Sequence, residues 1–288
     1  MPIYDQSYAH WSGTTEGRVL RWLPVTATGI RLAFRSKRFL VLFLLGLVPF
    51  VLRAGFIVLA NYAAEMGLDM NVNRAAFTGA DFFHNFLLEN QLFGVIVACL
   101  FAGAPLVSRD RGAGALEVYF SKPLLVRDYF LGKFMVIAFF LACMTLFPAL
   151  FLYLLDLLLS PAGARILPGA AALPKLLLVS SMVIVTAALP VLAASALTRS
   201  ARTAAVLWFA FHVVLFMVSR IASHVLSYPA LRLLDPRLSL ASLSEKVFAL
   251  PPSYGVHWSL PALYLFLLCA LSLGVILASL RAVEVVKR

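Results

Sequence analysis

Residues able to do acid–base, nucleophilic or metal chemistry are few in this chain and do not gather. The five histidines, His10, His84, His212, His224 and His257, share no metal-binding spacing. Cys99, Cys143 and Cys269 all fall inside apolar runs without a CxxC or Cys/His pattern, which reads as buried, inert thiol. The sequence contains no GxxxxGK[ST] phosphate loop, no HExxH and no GxSxG. The chain therefore has no apparatus of its own for cradling ATP and none of the common signatures of an intramembrane hydrolase. No metal or cofactor is expected on it.

What remains is charge in unusual places. Arg53 and Asp156 stand inside long apolar stretches. Arg53 lies about 21 Å along its helix at 1.5 Å per residue, too deep for a flank, and an arginine there must snorkel, face a wet cavity or meet an acid. Asp156 is the only carboxylate at comparable depth. The two form either a structural ion pair or a polar gate, unless Arg53 reaches outward on its own. His212, midway along another apolar run, reads as a neutral imidazole hydrogen-bonded between helices.

The densest charge is in residues 108–133, SRDRGAGALEVYFSKPLLVRDYFLGK, between two membrane-length apolar runs. Gly112 and Gly114 should end the preceding helix. Ala115 to Ser121 can make about two turns before Lys122–Pro123 stops them, because proline disfavours helix in the residue before it. Such a tethered helix is a docking surface: Leu116, Tyr119 and Phe120 offer the anchors, and Arg109, Arg111, Glu117, Lys122 and Arg127 set register and partner choice.

The elements that must position these groups are membrane helices. The 288 residues are 62% hydrophobic and 13% charged, half the charge of a soluble domain. Six stretches are apolar over about the length a bilayer requires, at 39–60, 91–107, 134–159, 175–197, 203–224 and 259–280. The fold class is thus an all-α polytopic membrane protein with a separate N-terminal segment, 1–38, ahead of a six-span domain. Thr198–Arg202 is short enough to force an antiparallel hairpin. Pro49, Pro105, Pro148 and Pro190 interrupt spans.

Basic residues distribute unevenly. Sixteen fall on the side that holds both termini, the 108–133 loop and the hairpin turn, against seven on the other. The positive-inside rule places that richer side in the cytoplasm. The net charge of +11 belongs to this topology and not to a nucleic-acid surface. Within 26–38, Arg31, Arg35 and Arg38 share one helical face while Ile30 and Phe34 share another, the pattern of an interfacial helix on anionic headgroups. Beyond the spans, 61–90 and 225–258 are too long for simple turns. The first contains DFFHNFLLENQLF, expected to run as a partly amphipathic helix into the second span, and the second is expected to form short helices dipping back toward the membrane.

The order Arg-Gly-x-Gly-Ala-Leu-Glu (111–117), Ser-Lys-Pro (121–123), Arg-Asp-Tyr (127–129) and Gly-Lys (132–133) resembles the permease subunits of type-2 ABC exporters. The six-span layout and basic N-terminal helix are similar to that family as well. The chain departs from it at Ala115, where the family often carries a hydroxyl residue. The resemblance implies that the loop is a coupling helix seated on a separately encoded ABC ATPase. It further implies two ATPase copies holding ATP and Mg, a second permease chain, identical or related, and a bacterial-type inner membrane. The other readings are an ATP-independent secondary transporter or channel, a membrane assembly factor and an intramembrane enzyme. A secondary transporter would need more buried carboxylates or an inverted repeat.

Overall fold

A computed structural model describes residues 20–66, 81–90, 92–121, 124–159 and 172–285. Lys122 lies outside the described residues, as does the side chain of Phe120. The structure is 87% helical, with no strand among the described residues, which makes it all-α. Among the described residues, six helices are long and apolar enough to cross a membrane: span 1 (Lys37–Ala63), span 2 (Asp81–Gly112), span 3 (Val126–Leu159), span 4 (Ala172–Leu197), span 5 (Ala201–Val225) and span 6 (Ser259–Leu280).

Spans 2 and 3 are longer than their apolar runs. Span 2 begins at Asp81 because DFFHNFLLEN is already helical, passing into a π turn at Phe86–Asn90. Its aromatic residues explain the extension: Phe82, Phe83 and Phe86 are fully buried against Leu152 and Leu176. Span 3 begins at Val126, several residues before its apolar run, since Lys133 is neutralised inside the protein.

The prolines sit where a missing N–H does least harm. Span 1 breaks at Leu47 and restarts at Val48, with Pro49 in the first turn. Span 2 passes through a π turn, Ala98–Gly103, before Pro105 opens its last segment. Span 3 breaks at Thr145, and Pro148 falls in the first turn of Leu146–Leu159. A first-turn proline needs no intrahelical donor. Pro190 alone lies within a continuous helix.

The N-terminal helix, Leu23–Phe34, packs across span 3. Thr26 Oγ1 donates to the Gly132 carbonyl at 3.0 Å, and a side chain at position 132 would meet Val25 and the Trp22 carbonyl. Its exit is fixed by Phe140, whose ring lies 5.4 Å from Phe34, 5.1 Å from Phe39 and 5.7 Å from Phe43. At the opposite end, the segment expected to form short helices dipping back toward the membrane forms a 3-10 turn, Pro229–Leu234, and the helix Pro236–Phe248, which packs on spans 4 and 6. Asp235 caps that helix through the Arg237 N–H at 3.0 Å.

Candidate functional site

The site is built on the last segment of span 2. After the π turn, Pro105 restarts the helix with its first N–H groups lacking partners of their own. Ser195 of span 4 supplies one from across the interface. Its Oγ accepts from the N–H groups of Val107 and Ser108, both at 3.0 Å, and donates to the Ala104 carbonyl at 2.7 Å. That uses the one donor and two lone pairs a hydroxyl has, and it fixes the rotation of span 2 against span 4.

One turn on, Arg111 ties in a third helix. Its Nη1 donates to the Ala196 carbonyl and to Ser279 Oγ at 2.7 Å, while Ser279 Oγ donates to the same Ala196 carbonyl at 2.8 Å. Spans 2, 4 and 6 thus meet at one guanidinium. The chain then turns. A Cβ at Gly112 would collide with the Arg199 carbonyl in the span 4–5 hairpin, and Gly114 adopts φ +65°, a left-handed value that glycine tolerates without a Cβ penalty. The two glycines end the helix as the sequence requires.

The short helix Ala115–Ser121 follows. Leu116 is buried and anchors it to the bundle, while Glu117 and Val118 are exposed on its outer side. Tyr119 lies 5.3 Å ring to ring from Tyr129. Burial, and then the carboxylate of Asp110, push the Tyr119 phenol above its ordinary pKa, so it stays neutral.

Beneath this helix is a partly buried ion pair. Lys133 Nζ lies 2.7 Å from Asp110 Oδ2, and the Tyr129 hydroxyl donates to the same oxygen at 2.8 Å. The ammonium also sits 5.4 Å from the Tyr129 ring and 5.9 Å from the Tyr119 ring. The charge on span 3 is therefore met by a carboxylate from span 2 and by two aromatic faces. The pair closes the base of the loop.

The expected docking residues divide into two sets. Leu116, Tyr119 and Arg111 are turned into the protein, where Arg111 holds three spans together. Arg109, Glu117 and Arg127 are exposed, Arg127 making only a long 3.9 Å contact with neighbouring Asp128. Arg31, Arg35 and Arg38 are exposed, but the helix ends at Phe34 and span 1 restarts after an extended Ser36, so the three do not share one continuous helical face as expected. Phe34 is exposed, with its ring tilted against Phe140.

Arg53 and Asp156 are both buried, on spans 1 and 3, whose far halves pack together. Arg53 donates to the Phe82 carbonyl at 2.9 Å and lies 4.6 Å from that ring's centre. His212 departs from expectation: its Nδ1 bonds the Trp208 carbonyl at 2.9 Å, one turn back on its own helix instead of across to another. The carbonyl four residues earlier is within reach of a short side chain, so no neighbouring helix is needed.

Five residues of the clamp were not singled out in the sequence as site residues: Asp110, Tyr129, Lys133, Ser195 and Ser279. Tyr129 and Lys133 stand within the Arg-Asp-Tyr and Gly-Lys pairs, so a signal existed. Gly132 seats the N-terminal helix and Lys133 forms the ion pair, which gives that dipeptide two structural duties. Ser195 and Ser279 carry no mark that separates them from other serines in apolar runs.

No individual curated protein matches the chain. A family model described as "ABC-2 family transporter protein" matches residues 24–281, from the N-terminal helix to the end of span 6. With six membrane-length helices and a match across nearly its whole length, the chain belongs to the ABC-2 transporter family, as a multi-pass permease component that is not catalytic alone.

Proposed function

We propose that this permease works in an ATP-driven exporter, and that the helix Ala115–Ser121 is the joint through which a separate ABC ATPase moves it. One observation carries the reading. The helix is exposed at Glu117 and Val118 but anchored at Leu116, and it sits directly on a clamp that binds spans 2, 3, 4 and 6. A displacement of the helix is passed through Leu116 to the clamp and from there to four spans.

In this reading two ATPase copies, each holding ATP and Mg, contact the loops of two permease chains, identical or related. Both termini and the loop lie in the cytoplasm of a cell with a bacterial-type inner membrane, where the basic face of the N-terminal helix lies on anionic headgroups. The substrate path runs between the two permeases. Spans 1 and 5, the least enclosed within the chain, supply apolar surface for the second chain or for lipid. Arg53 and Asp156 stabilise the bundle interior away from the joint.

The test is proximity cross-linking. With Val118→Cys, a bismaleimide should join the permease to the ATPase that co-purifies with it, and ATP should change the yield. The same substitution at Leu159, an exposed residue at the other end of span 3, should give no such product. Cross-linking at both positions, or at neither in an intact complex, contradicts the assignment.

A further inference from the structure

A cavity of about 270 Å³ opens between spans 2, 4 and 5 and the helix Pro236–Phe248. Its walls are apolar, with Ile96, Val183, Phe209 and Leu240 from the four elements. Three polar side chains reach it besides the indole of Trp208. The Thr186 hydroxyl is committed to the Met182 carbonyl at 2.7 Å. Arg237 is committed to Asp235, Nη2 to Oδ2 at 3.0 Å, and lies 5.4 Å from the Phe216 ring.

His212 is different. The Trp208 carbonyl can only accept, so the Nδ1 that bonds it carries the proton, and Nε2 is left as a lone-pair acceptor. The Trp208 ring lies 4.5 Å away. That residue is 5% exposed, and its indole N–H is buried without a hydrogen-bond partner. Buried unpaired donors are uncommon in native proteins and call for an explanation.

We propose that this cavity is a binding site for a single-chain amphiphile whose head is a hydroxyl group. The hydroxyl donates its proton to His212 Nε2 and its oxygen accepts from the Trp208 N–H, while the chain lies along the apolar walls. A carboxylate has no proton to give Nε2, and the cation at the wall, Arg237, already has Asp235 as its counter-ion. An amine would bring a second cation beside Arg237. The volume lies just below the usual range for small-molecule sites, which favours one alkyl chain over a two-chain lipid. The site is contained in one chain and requires neither an ATPase nor a second permease, so it stands apart from the coupling reading.

The probe is a decanol carrying a mid-chain diazirine, photolysed with the full-length protein in nanodiscs. Its methyl ether, which accepts but cannot donate, is the comparison. The expected result is labelling within residues 87–96 and 208–216, competed by decanol, with the ether about tenfold weaker, the worth of one hydrogen bond in a dry site. His212→Phe should lower alcohol labelling by a similar factor and leave ether labelling unchanged. The ether comparison uses the unaltered protein and holds even if that variant fails to fold. Equal labelling by alcohol and ether, better competition by decanoate than by decanol, or labelling away from the cavity overturns the proposal.

Discussion

At the loop end of the bundle, Asp110, Arg111, Lys133, Ser195 and Ser279 each meet a specified partner on another helix. In the cavity between spans 2, 4 and 5, Trp208 leaves its N–H unmet and His212 bonds only its own helix. The polar groups of the first region are directional and complete, and they hold four helices in one relative orientation. Those of the second are sparse and incomplete, which leaves space for something not covalently part of the chain. Rigidity and receptivity are thus built from similar residues, and the state of their hydrogen bonds separates them.

The contrast is most easily broken at Lys133. Lys133→Met should leave the Asp110 carboxylate largely buried with only the Tyr129 hydroxyl to answer it. Removing one partner of a fully buried pair costs about 3–5 kcal/mol, and this partly buried pair should lose somewhat less, still visible as a clear drop in melting temperature by size-exclusion after heating in detergent. Lys133→Met combined with Asp110→Leu should recover most of that loss. A single variant as stable as the parent would mean that the clamp is solvated and not rigid.

Arg111→Met comes next. It removes the donor shared by the Ala196 carbonyl and Ser279, and hydrogen bonds to charged groups are worth about 1.5–3 kcal/mol. The same heating assay should show an intermediate loss, and proteolysis should open the span 4–5 hairpin turn near Arg199. Protection equal to the parent would show that spans 4 and 6 are held elsewhere.

The smallest stability effect belongs to the cavity. Trp208→Phe deletes an unpaired donor along with part of a ring, and the two opposing terms leave a change below about 1 kcal/mol. A loss as large as that of Arg111→Met would show that the packing of the Trp208 ring outweighs its unmet donor and would erase the contrast between the regions.

Much of the architecture was legible in the residues. Runs of apolar length gave the six spans, and Gly112 and Gly114 marked the helix end, because composition and backbone freedom act locally. The short helix before Lys122 followed from proline chemistry in the same way. The partners of the clamp were not legible. Arg111 looks the same in sequence whether it faces a partner protein or Ala196 of another span, and only the packing of spans 2, 4 and 6 decides between them. For the same reason the sequence does not distinguish a His212 partner on a neighbouring helix from the Trp208 carbonyl on its own. The apolar run of span 2 starts later than its helix because Asp81–Asn90 mixes polar residues with the phenylalanines that bury it, yet the DFFHNFLLENQLF pattern already points to a helix leading into the span. Membership in the ABC-2 family was readable from the order of small motifs in one loop, since Gly132 and Lys133 are constrained by two separate contacts.

The account rests on the short helix transmitting force from an ATPase, and Glu117 tests that most directly because it is exposed and outside the clamp. In the purified complex with its ATPase, Glu117→Arg should leave insertion of the permease unaffected. ATP hydrolysis coupled to the permease should fall by about tenfold, or the ATPase should dissociate, as expected for a reversed charge in an interface. Normal assembly with fully coupled hydrolysis in that variant would contradict the account.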